Sequence, residues 1–134
     1  MRLALLSIII TLWLTQPLAE GIGYIEEVET PPSPVATYVA TVTAYTSSIE
    51  ECGKDDGITA SGLPAEDGMV ACDDLPFGTR VVIEGRHYVV ADRFGGGYQR
   101  RFDIWMPSRA DAYRFGRKQV EVQVIEMGDG ENVR

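Results

Sequence analysis

Residues 79–92, TRVVIEGRHYVVAD, hold two short runs rich in β-branched and aromatic residues, Thr79 to Glu84 and His87 to Asp92, joined tightly through Gly85 and Arg86. Runs of this kind about a glycine read as a β-hairpin, because such side chains pack well on a pleated surface and glycine accepts the backbone angles of the turn. The same texture extends outward: Val39 to Tyr45 and Gly68 to Cys72 precede the hairpin, and Phe102 to Trp105 and Lys118 to Ile125 follow it. Six short strands divided by glycine, proline and aspartate predict a compact all-β domain. In the last run Val120, Val122 and Val124 alternate with Glu121, Gln123 and Ile125, so one face is buried. One helix interrupts the series, Arg109 to Phe115. Ser108 stands at its cap, Asp111 takes the capping-box position, Gly116 supplies a left-handed stop, and Ala112 and Phe115 face the core together.

Outside the strands, the chain of 134 residues begins with Arg2 and an apolar run, Leu3 to Leu14. That run matches the hydrophobic centre of a secretory signal and falls short of the roughly 20 residues of a spanning helix. Export is therefore expected, with residues 1–19 as a signal removed near Ala19 or kept as an N-terminal anchor over residues 3–18. Such an anchor is the one link to a membrane that the sequence suggests. Residues 20–37, with four glutamates and three prolines and no periodicity, read as a linker. The domain then spans 38–127 and a tail 128–134, about the size of one small monomeric domain.

The chain carries 20 acidic and 12 basic side chains, a formal charge of -8, which argues against nucleic-acid binding. Seven of the 12 basic residues nevertheless fall between Arg93 and Lys118, either as a solvated face or as a rim attracting an anionic ligand. Cys52 and Cys72, in an exported chain, are expected to form a disulfide. With His87 as the lone histidine, itself placed as a strand residue, and no C-x-x-C spacing, zinc is the weaker reading, and neither a metal site nor a cofactor is expected.

Acid–base chemistry then falls to carboxylates. Asp73, Asp92 and Asp103 sit at strand ends or beside glycine-rich turns, although each taken alone is equally a turn former or cap. Asp92 ends the apolar Tyr88-Val89-Val90-Ala91 and precedes Arg93-Phe94-Gly95-Gly96-Gly97, where glycines would let a bulky substrate approach the backbone. Partial desolvation would raise its pKa and the neighbouring arginine would lower it. Asp103, between Phe102 and Ile104, must be hydrogen-bonded or paired if it points inward, so an orienting role stands beside a catalytic one.

Several ordered motifs also resemble a known family. Thr43-Ala44-Tyr45-Thr46, Gly57-Ile58-Thr59-Ala60-Ser61-Gly62, Val70-Ala71-Cys72-Asp73, Leu75-Pro76-Phe77-Gly78-Thr79, Asp92 with its glycines, Arg101-Phe102-Asp103-Ile104-Trp105 and Phe115-Gly116-Arg117-Lys118 together resemble the 3D domain. That family is named for three aspartates and is related to rare lipoprotein A and the membrane-bound lytic transglycosylase A. The resemblance implies a six-stranded double-psi β-barrel and action on peptidoglycan, cleaving the β-1,4 bond between N-acetylmuramic acid and N-acetylglucosamine. It makes Asp92 the acid and then base, with Asp73 and Asp103 tuning it and Tyr45, Thr59, Gly95 and Gly96 near the glycan. The chain departs from the usual Asp-Thr-Gly-Gly-Ala-Ile-Lys-Gly: here Asp92-Arg93-Phe94-Gly95-Gly96-Gly97-Tyr98-Gln99 shifts the glycines by one and lacks the lysine, while the third aspartate still follows eleven residues on. Tyr98, Arg100 and Arg101 would then supply the lost contacts by stacking on sugars and pairing with stem-peptide carboxylates. The alternative to an enzyme is a wall-polysaccharide-binding module of the expansin kind.

Overall fold

The computed structural model describes residues 33–48, 56–131 and 133. The expected signal segment, residues 20–32 of the linker and Cys52 lie outside them.

Six strands and one helix follow in chain order: β1 Ala36–Tyr45, β2 Met69–Ala71, β3 Arg80–Ile83, β4 Arg86–Asp92, β5 Arg101–Trp105, α1 Arg109–Phe115 and β6 Lys118–Glu126. They close into one barrel in the order β1-β5-β2-β4-β3-β6. Consecutive β1 and β2 are thus parted by β5, and consecutive β2 and β3 by β4, so the chain crosses over itself twice in the double-psi manner. Pairs β1·β5 and β2·β4 run parallel, and the other pairs antiparallel. Closure leaves no strand with an unpaired edge.

The interior of so small a barrel has room only for compact side chains. Val42, Val70, Val81, Val90, Val122 and Val124 fill it with Ile83, Ile104 and Phe102. Branching at Cβ suits both the extended backbone and the narrow lumen. Among the described residues Phe102 is the one fully buried ring, stacked on Tyr38 at 6.5 Å.

The elements agree with the pattern read from the sequence, with two adjustments. Strand β1 starts at Ala36, because Ala36 and Thr37 pair with Val124 and Gln123 of β6. The β3–β4 turn is Glu84-Gly85 rather than Gly85-Arg86: Arg86 already pairs with Ile83, and Glu84 and Gly85 take φ of 50° and 77°. A two-residue turn with both φ positive matches the strand twist, and the Lys118 ammonium, 3.0 Å from Glu84 Oε2, adds a tie to β6. In α1 the Ser108 hydroxyl accepts from the Asp111 N–H, the Gly116 N–H reaches the Ala112 carbonyl, and Ala112 is buried. Among the described residues no helix is long and apolar enough to cross a membrane.

Phe102→Ala should cost about 3–5 kcal/mol in urea unfolding, because the ring is fully buried and closely packed. Val39→Ala, at a residue 60% exposed, should stay within roughly 0.5 kcal/mol. Equal losses at the two positions would contradict the placement of the core.

Candidate functional site

Strand β4 carries an irregularity that builds the site. Met69 and Val70 of β2 pair with Val89 and Val90, but Ala71 pairs with Asp92, so Ala91 is an extra residue in β4. Side chains alternate along a strand, and strict alternation would send Asp92 to the face of Tyr88 and Val90, which is the core. The bulge moves it instead to the face of Ala71, outside the core cluster.

On that outer wall the register aligns Thr43 of β1, Asp103 of β5, Ala71 of β2 and Asp92 of β4. Two strand spacings put the Asp103 and Asp92 backbones about 10 Å apart, with only the Ala71 methyl between them. Thr43 Oγ1 donates to Asp103 Oδ1 at 2.8 Å. Tyr45, two residues beyond Thr43 on the same face, donates its hydroxyl to Asp92 Oδ2 at 2.7 Å. Asp92 Oδ1 accepts the N–H of Ala60 at 2.8 Å and that of Arg93 at 2.9 Å.

The Ala60 contact belongs to a turn seated on the bulge, since the Ser61 N–H donates to the carbonyl of Ala91 at 3.1 Å. Thr59 is buried in that turn, with Oγ1 donating to the Leu63 carbonyl at 2.9 Å and lying 2.9 Å from Ser61 Oγ. Tyr45, Ser47, Thr59 and Asp92 help line a recess of about 10 Å³, the room of a single water.

Asp73, two residues beyond Ala71, turns to a different task. Its Oδ1 accepts from Phe94 N at 2.8 Å and Gly95 N at 3.2 Å, and its Oδ2 from Gly96 N at 3.2 Å and Tyr98 N at 3.0 Å. Burial acts to raise the Asp73 pKa, but the four N–H groups together outweigh it and hold the carboxyl below its ordinary value of 3.8. Gly95 and Gly97 adopt φ of 83° and 69°, and the Tyr98 ring lies so close over Gly96 that a Cβ there would stand 2.5 Å from it. The glycines let the loop fold onto a carboxylate and its own tyrosine. Phe94 and Tyr98 meet edge to face at 5.5 Å, and the Arg101 guanidinium carbon stands 4.7 Å and 4.6 Å from their centroids.

Arg100 points elsewhere: its N–H donates to Asp74 Oδ2 at 2.9 Å and its guanidinium lies 5.3 Å from the Tyr38 ring. Cys72 is a free, buried thiol donating to Asp74 Oδ1 at 2.9 Å. Burial first, then the bond to Asp74, pushes its pKa up to about 12, so it is no ready nucleophile. Its expected disulfide partner, Cys52, is outside the described residues.

The fold therefore brings Asp92, Asp103 and Tyr45 onto one wall and gathers Gly95, Gly96 and Tyr98 in the adjoining loop held by Asp73, with the Arg101 guanidinium of β5 resting on it. Thr59 reaches the recess but spends its hydroxyl on its own turn, and Arg100 stands apart. Sequence reasoning passed over Thr43 as a site residue, although its spacing of two from Tyr45 signals a shared face. It also passed over Arg93, whose Nη1 donates to the Cys72 carbonyl at 2.5 Å while its guanidinium covers Phe77 at 3.8 Å. A third omission is Trp105, whose Nε1 donates to Ser47 Oγ at 2.8 Å. Trp105 lines a cleft of about 650 Å³ with Ile104, Met106, Pro107 and Phe115, rimmed by the pairs Asp67–Arg86 and Asp111–Arg114. Ser47 thus joins this cleft to the Asp92 recess.

No protein-family model matches the chain. Over 90 residues, 62% of this chain and 21% of the relative, it is 31% identical to YabE of Bacillus subtilis (strain 168), a protein named for cell wall shaping. Over 92 residues, 63% of this chain and 31% of the relative, it is 33% identical to the cell wall-binding protein YocH of the same organism. The chain thus spans about a fifth to a third of the length of these curated relatives. Among solved structures it is similar to MltA from Escherichia coli, with a TM-score of 0.45, 23% identity, and coverage of 53% of this chain and 28% of that one.

Because the folded pKa of Asp73 lies below 3.8, its contribution to stability is complete above that value and is lost as pH falls through it toward the folded value. Asp73→Asn cannot accept four N–H groups, so the variant should be less stable at neutral pH and should lose less than wild type on acidification. Parallel stability–pH curves for the two proteins would refute this role.

Proposed function

We propose that this chain is a cell-wall-active barrel of the 3D-domain type that, once exported, cleaves peptidoglycan glycan strands at the bond between N-acetylmuramic acid and N-acetylglucosamine. The observation that carries the reading is the β4 bulge, which sets Asp92 on the outer wall, bound by Tyr45 and in line with Asp103. An aspartate in that position has no packing role in the core, and two relatives named for the cell wall support a wall glycan as the ligand.

In this reading the Asp92 carboxylic acid protonates the glycosidic oxygen as the bond from the muramic C1 breaks, leaving the departing sugar with a hydroxyl. The Asp92 carboxylate then removes the proton from the 6-hydroxyl of the same muramic residue as that oxygen closes on C1, and the acid is regenerated. Tyr45 can donate to the carboxylate and accept from the acid, following both states. Asp103 is bonded to Thr43, on the strand away from Asp92, which favours one carboxylate acting twice over a nucleophile–acid pair, whose carboxyls lie roughly 5 Å apart. Asp103, fixed by Thr43, supplies negative charge beside the oxocarbenium-like centre. The Trp105 cleft has the size of a ligand site and an aromatic floor on which a sugar ring can stack.

A second reading, binding without cleavage, is favoured by the narrowness of the recess at Asp92, about 10 Å³. Mass spectrometry of peptidoglycan incubated with the full chain separates the two. The enzyme should release 1,6-anhydro ends, and Asp92→Asn should reduce them by about a hundredfold or more while unfolding at a similar temperature. Hydrated ends would mean hydrolysis at the same site. Wild-type protein that pellets with the wall and yields no new ends would establish the binding module.

A further inference from the structure

Several basic side chains of this acidic protein find carboxylates: Arg80 with Glu126 at 3.4 Å, Arg86 with Asp67, Arg114 with Asp111 at 2.8 Å and Lys118 with Glu84 at 3.0 Å. Among the described residues Arg93, Arg100 and Arg101 form no such pair. Arg93 is occupied by the carbonyls of Cys72 and Asp92. Arg100 is drawn toward Tyr38. Among the described residues the Arg101 side chain donates to no acceptor, and its Nε is buried without a partner.

Its place is nonetheless well defined. The guanidinium rests against Phe94 and Tyr98, whose loop is shaped by the four N–H groups on Asp73. Arg101 precedes Asp103 by two residues in β5, so it shares the face of the candidate site, about 7 Å further along the strand. A guanidinium partly removed from water, held by two rings and without an ion-pair partner among the described residues is arranged for an anion that arrives with a ligand. The anion should be singly charged and planar. A phosphate dianion would face one cation with Asp73 and Asp103 nearby, whereas a carboxylate matches the guanidinium fork and needs no second positive group.

We infer that Arg101 receives a carboxylate of the bound saccharide and so selects glycans with acidic arms over neutral ones. This rests on the wall-glycan reading, in which the carboxylate belongs either to the lactyl group of a peptide-free strand or to an acidic residue of an attached peptide.

The test measures binding of the full chain to four ligands: intact peptidoglycan, peptide-free glycan strands, the same strands methyl-esterified, and neutral N-acetylglucosamine oligomers. Wild type should bind the esterified and neutral chains about tenfold or more weakly than the free acid, and Arg101→Gln should erase that difference. A preference confined to peptide-bearing material, and equally lost in Arg101→Gln, would assign the carboxylate to the peptide. Equal binding of all four ligands by wild type, a comparison that needs no variant to fold, would overturn the inference and leave the wall-glycan reading standing. Failure to bind any of the four would remove the reading and the inference with it.

Discussion

A single carboxylate that satisfies four backbone N–H groups is the constraint from which the candidate site is organised. The segment from Phe94 to Tyr98 has three consecutive glycines, and ordering such a backbone costs about 1–2 kcal/mol per residue, more at glycine. Left to itself it would sample many shapes. Asp73 supplies a fixed template, and because its own position follows directly from β2, the loop inherits the register of the barrel. The rings of Phe94 and Tyr98, and through them Arg101, take their positions from this arrangement.

The barrel itself is a means of holding side chains in rows. Its valine-rich interior leaves little polar to satisfy inside, and on the outer wall neighbouring strands set Thr43, Asp103, Ala71 and Asp92 side by side. The smallest member of the row matters as much as the charged ones. Ala71 is itself buried, and a larger residue there would have to displace the groups that cover it beside the two carboxylates.

Much of the architecture was legible in the sequence because it depends on local pattern: short β-branched runs, the Ser108-x-x-Asp111 cap and the alternation of Val120, Val122 and Val124. The three aspartates stood out by their positions at strand ends or beside turns. Their division of labour did not, because it depends on contacts between residues distant in sequence. Asp73 meets a loop some 21 to 25 residues away and Asp92 meets Tyr45 at a separation of 47. The glycines after Asp92 read as room for a substrate, whereas their positive φ values and the Tyr98 ring over Gly96 show that the loop needs them for its own shape. The face of Asp92 was hidden for a different reason: an added strand residue leaves no mark in composition and shows only when β2 and β4 are paired.

That added residue makes the character of the wall a matter of counting. Ala91 could be lost, or a second residue gained, by a change of one codon that leaves every other side chain of β4 as it is. Either event would exchange the faces of the residues beyond it and withdraw the aspartate from the surface while the barrel kept its strands. Members of a lineage built on this strand could therefore pass between a carboxylate-bearing and a blank wall in one step, with overall sequence identity almost unchanged. Aligned positions in β4, more than similarity along the chain, would then report which of them still carry the acid.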